Sequence, residues 1–99
     1  AQSSMHIGLN LGELGFLHLG HGEFKEALTY LNQARDLVQG TPDDKFLPGI
    51  LMNLGEVARL QGNFDQASAL YHESMAISQN AEQKAIVYCN LAFIEHLRG

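Results

Sequence analysis

Apolar residues recur at three- and four-residue spacing along most of the chain, the mark of helices that each bury one face. The first such stretch passes through Ile7, Leu11, Leu14 and His18, and the second through Phe24, Ala27, Leu28 and Leu31. A third holds Leu51, Leu54, Val57 and Ala58, a fourth Phe64, Ala67, Leu70 and Tyr71, and a fifth Val87, Leu91 and Ile94. No window sustains the two-residue alternation of a strand. The breaks are short: His21-Gly22-Glu23, Gln61-Gly62-Asn63, and Gly40-Thr41-Pro42-Asp43-Asp44. A glycine after an apolar run suits the left-handed residue that ends a helix. Asn63 is placed to cap the helix that follows it, and Thr-Pro-Asp opens another. The pattern predicts an all-α chain of five helices over 4–20, 23–39, 43–61, 64–78 and 81–98.

The chain also repeats itself. Leu11, Leu14, Gly15, Gly22, Phe24 and Ala27 recur as Leu51, Leu54, Gly55, Gly62, Phe64 and Ala67, at a constant offset (55 − 15 = 40). Leu91, Ala92 and Gly99 begin a third copy, at 99 − 62 = 37. The units span about 4–40, 43–79 and 81–99 of one domain, two helical hairpins and half of a third. Helices joined by so few residues pack antiparallel. Gly15 with Ala27, Gly55 with Ala67, and Ala92 are the small residues that let the axes approach. Phe24, Tyr30, Leu31, Phe64, Leu70 and Tyr71 then fill the space around the crossings. A hairpin cannot bury both faces alone, so stacking has to supply the stability.

Leu54-Gly55, Gly62-Asn63-Phe64, Ala67 and Tyr71 have the spacing of the tetratricopeptide repeat family, and Leu14-Gly15, Gly22-Glu23-Phe24 and Ala27 carry it a second time. The chain resembles that family over essentially its whole length. The resemblance implies an α-α solenoid that binds proteins rather than an enzyme. The family's commonest period is about 34 residues; the extra residues here fall between units. Long periods, and the stretch Asn53–Ser78, look like the repeats of large bacterial transcriptional regulators and signalling ATPases. The chain is thus expected to be a fragment of a larger regulatory protein.

In the family, the first helix of each unit lines a concave surface that receives a partner peptide. Carried over by position, the lining is Leu9, Gly12, Glu13, Phe16 and Leu19 in the first unit. It is Met52, Asn53, Glu56 and Arg59 in the second, and Ile86, Cys89, Asn90, Phe93 and His96 in the third. The periodicity agrees, setting Phe16, Glu56 and Phe93 beside or opposite the Leu11, Leu51 and Leu91 face. Some family members clamp a carboxyl terminus with Lys, Arg and Asn. Asn53 matches one Asn of that clamp, but Gly12, Phe16, Ile86 and Asn90 lack its basic groups. An extended peptide or a helix with apolar anchors is the expected partner. The open face of the last unit, around Leu91, Ile94 and Leu97, is expected to favour self-association.

Composition narrows the remaining classes. The 99 residues carry a formal charge of −5, which opposes direct nucleic-acid binding. No apolar run is long enough to span a bilayer. The lone Cys89 excludes an internal disulfide and makes the cytoplasm the default compartment. His18 and His21 are spaced for one helix face, yet no zinc-site spacing accompanies them. No metal and no cofactor are expected; His18 should pack between helices and His21 lie in the turn. A small-molecule or metal-responsive sensor domain is the alternative of a different class. The glycines Gly8, Gly12, Gly15, Gly20 and Gly22 fit no phosphate loop. They read as close packing plus one turn, and they should make the first helix the first to fray. No catalytic set is legible, and Cys89 reads as a small half-buried residue.

Overall fold

The computed structural model describes residues 4–41, 44–78 and 81–98. Helices α1 (Ser4–Gly20) and α2 (Phe24–Val38) form one hairpin, and α3 (Leu47–Leu60) and α4 (Phe64–Ile77) the next. Helix α5 (Ala81–Arg98) packs on α4. Each helix lies against its chain neighbours, and α3 also touches α1 and α5, so the elements form a stack. The described residues contain no strand.

Both hairpin turns are built the same way. Glu23 N–H donates to the His18 carbonyl (2.9 Å) and Gly22 N–H to that of Leu19 (3.0 Å). Forty residues on, Asn63 N–H donates to Ala58 (2.8 Å) and Gly62 N–H to Arg59 (3.0 Å). This paired closure requires a left-handed residue, supplied by Gly22 (φ 74°) and Gly62 (φ 83°). Asn63 does occupy the N-cap position of α4, but its side chain makes no capping bond.

The third helix departs from its expected start. A 3₁₀ turn, Asp44–Phe46, precedes it, and the α-helix begins at Leu47 (Asp43 lies outside the described residues). Pro48 explains the break. Having no N–H, it cannot sit inside a helix that began near 43, but it suits the first turn of one beginning at Leu47.

The glycines meant for close approach do that work at two places. A Cβ on Gly15 would stand 2.6 Å from Leu31 Cγ, and one on Gly55 2.8 Å from Tyr71 Cε1. Leu31 and Tyr71 are fully buried. Each such side chain contributes about 1.5–3 kcal/mol by leaving water. Ser74, also fully buried, donates from Oγ to the Pro48 carbonyl (2.7 Å), which ties α4 to the start of α3. Gly12 and Gly20 do not serve packing: a Cβ on either meets nothing within 4 Å.

One residue expected to face inward, Leu14, faces differently. Leu14 is 39% exposed, whereas its counterpart Leu54 is 3% exposed, because α2 covers α3 and no described element covers that side of α1. Leu17 is exposed for the same reason, although its counterpart Val57 is buried. At the other end, Leu91 and Ile94 are not an open face. They are buried with Val87 and Tyr71 between α5 and α4. The side chain of Leu97 lies outside the described residues. The open side of α5 instead carries Tyr88 and Ala92, and Cys89 is exposed rather than half-buried.

Candidate partner-binding groove

The first helices of the units lie side by side, α3 between α1 and α5, and the candidate residues gather along them in two groups. The first lies between α1 and α3. Glu13 and Phe16 from α1 and Asn53 from α3 line one cavity of about 340 Å³. Phe16 is 63% exposed beside it, and among the described residues Glu13 has no ion-pair partner.

The second group lies between α3 and α5. Glu56 accepts a hydrogen bond and ion pair from Arg59 and a hydrogen bond from the Tyr71 hydroxyl (3.1 Å). The Arg59 guanidinium lies 5.8 Å from the centre of the Phe93 ring, a cation–π arrangement. Burial raises the Tyr71 phenol above its usual value, and the nearby Arg59 offsets part of that. The buried Arg59 Nε has no hydrogen-bond partner among the described residues. Phe93 is half-exposed, Ile86 exposed, and Met52 and Asn90 partly buried.

Leu19 does not belong to the lining. It is 8% exposed and packs in the core shared by α1, α2 and α3. Its counterpart is Arg59, whose charged end has to stay near the surface. Phe46 was missed. It sits in the 3₁₀ turn, outside any helical period, yet it forms a wall of the first cavity. The placement of Leu9's side chain lies outside the described residues.

His18 and His21 both lie near the Glu23 carboxylate. The His18 ring stacks on Tyr30 (centroids 5.3 Å apart, planes 12° apart), and its Nδ1 is 3.1 Å from Glu23 Oε1. His21 is exposed in the turn. Among the described residues no group of three His, Cys, Asp or Glu side chains is placed to hold a metal ion. No helix among them is long and apolar enough to cross a membrane.

Duplicated hairpins, each closed by a Gly-centred turn and wedged by a Gly-to-large-residue contact, define a helical-repeat solenoid. A family model described as Tetratricopeptide repeat matches residues 46–99, more than half of the chain. The chain belongs to the tetratricopeptide repeat family. It is also similar to a TPR repeat-containing protein of Treponema pallidum (strain Nichols), at 39% identity over 72 residues. That alignment takes in 72% of this chain and 8% of the relative. No solved structure matches the chain significantly. Repeats of this family generally mediate protein–protein interaction, and the family is of a non-catalytic, scaffolding kind.

Proposed function

We propose that this chain is a protein-interaction module that receives an extended peptide or a short helix along the face of α1, α3 and α5. The supporting observation is that face's composition. Exposed Phe16, Ile86 and Phe93 lie beside Asn53, Asn90 and the Glu56–Arg59 pair, the mixture of aromatic anchors and polar groups found at binding hot spots. The repeats belong to a larger, bacterial regulatory protein of cytoplasmic location. The long repeat period, like that of bacterial regulators, and the lone Cys89 support that setting, and similarity to a small part of a much longer bacterial relative supports the larger size.

The test is selection of a random peptide library on the immobilised chain, followed by affinity measurement on variants. Phe93→Ser, in the groove, should weaken the selected peptides at least tenfold. Thr29→Asp, on the exposed side of α2, should leave them unchanged. The reverse pattern would overturn the proposal.

Self-association through α5 is proposed as well. Tyr88 is 66% exposed and Ala92 exposed, where their counterparts Leu51 and Gly55 are covered. Light scattering at high concentration should show a dimer that Tyr88→Ser disperses; a wild-type monomer contradicts it.

A further inference from the structure

The cavity between α1 and α3 is lined in part by two glycines, Gly12 and Gly49. A Cβ on Gly12 would meet nothing within 4 Å, so this glycine faces open space rather than a packed neighbour. In the next gap, between α3 and α5, the corresponding positions hold Met52 and Ile86. The repeat therefore carries bulk at this point once, and an opening at the other.

The remaining lining is apolar and aromatic with two polar groups. Phe16 and Phe46 form walls and Ile50 the buried side, with Glu13 and Asn53 alongside. A volume of about 340 Å³ is near the lower end for ligand sites, about 300–1,000 Å³. It accommodates one large side chain and not an extended cofactor. The charges at its edge differ in availability. The Lys45 ammonium is already engaged over the Phe46 ring, 5.4 Å from its centre. Glu13 is exposed, and among the described residues no cation pairs with it. Its counterparts in the next two units are the neutral Asn53 and Asn90, so the carboxylate is particular to this cavity.

We infer that this cavity is an anchor site for one bulky apolar side chain of a partner segment, next to a Lys or Arg of that segment that pairs with Glu13. The inference rests on the groove reading above and specifies the partner's chemistry within it. Burial of the anchor between Phe16 and Phe46 supplies most of the affinity. The basic neighbour, at the rim, mainly selects among partners.

The experiment uses the library-selected peptides as probes. They should share a Leu, Ile, Met, Phe or Trp within two residues of a Lys or Arg. Gly12→Met installs the side chain that the second unit carries at this position, into space that is free to take it. It should weaken binding about tenfold or more, the equivalent of one buried side chain, with helicity and melting temperature undiminished. Phe16→Ala removes an exposed wall and should weaken the same peptides. Glu13→Lys should reduce the advantage of basic peptides by about two- to fivefold. If Gly12→Met and Phe16→Ala both bind within twofold of wild type while Phe93→Ser does not, the anchor site is wrong and the groove reading stands. If none of the three weakens binding, both fall.

Discussion

Gly55→Ala adds a single methyl group at the tightest crossing of the stack. The new Cβ would lie 2.8 Å from Tyr71 Cε1, 2.9 Å from Cδ1 and 3.2 Å from Cζ. A flexible chain end could swing aside, but this ring is fully buried and its hydroxyl is held by Glu56. The helices must part or the ring must tilt and release that bond. Overpacking of this kind costs about 1–3 kcal/mol, and a displaced hydroxyl bond about 1 kcal/mol more. Better helix propensity offsets about 1 kcal/mol. The net is a loss of about 1–3 kcal/mol, which lowers the melting temperature of a domain this size by about 4 °C at the least. Gly12→Ala is the internal control, since its Cβ meets nothing and only the propensity gain remains. That variant should be more stable by about 0.5–1 kcal/mol. Both are read by urea and thermal unfolding followed by circular dichroism, at constant urea slope. A Gly55→Ala protein as stable as wild type, or a Gly12→Ala protein less stable than it, would refute the wedge argument.

Other consequences are accessible to similar measurements. Gly62→Ala forces a side chain into a φ of 83° and should lose about 1–2 kcal/mol, measured by urea unfolding. The Tyr71 pKa is raised in the folded state, chiefly by burial. Its contribution to stability is therefore complete below pH 10, the ordinary phenol value, and lost as pH rises through the folded value. Tyr71→Phe should flatten that alkaline decline while lowering stability near neutrality by about 1 kcal/mol. Amide hydrogen exchange should be faster in α1 than in α3, because α1 carries Gly8, Gly12 and Gly15 and leaves Leu14 and Leu17 uncovered.

The helices, the two matching turns and the Gly15 and Gly55 contacts were legible from residue types and a constant offset. Those features are local, or repeat local features, so a single sequence carries them. What covers each face is a different kind of information. Leu14 and Leu54 hold the same position in the repeat, yet among the described residues only Leu54 has another hairpin against it. Leu91 and Ile94 were read as open because a following helix was missing, but α5 turns that stripe onto α4. The same limit affected the groove. Position in the repeat put Glu13, Phe16, Asn53, Glu56, Arg59 and Phe93 on one lining, without dividing them into the cavity that holds the first three and the cluster that holds the others. It also assigned Leu19 to the lining, although an apolar side chain at that register is drawn into the core. Phe46 escaped because a residue in a 3₁₀ turn belongs to no helical period. The signal for it was Pro48, which marks where the α-helix has to start.

The most direct measurement is a two-dimensional amide NMR titration of the chain with a library-selected peptide. The expected result is shifts concentrated on the groove side of α1, α3 and α5, with Glu13, Phe16, Asn53 and Phe93 among them. Shifts concentrated on the exposed sides of α2 and α4, with those residues unmoved, would contradict the account.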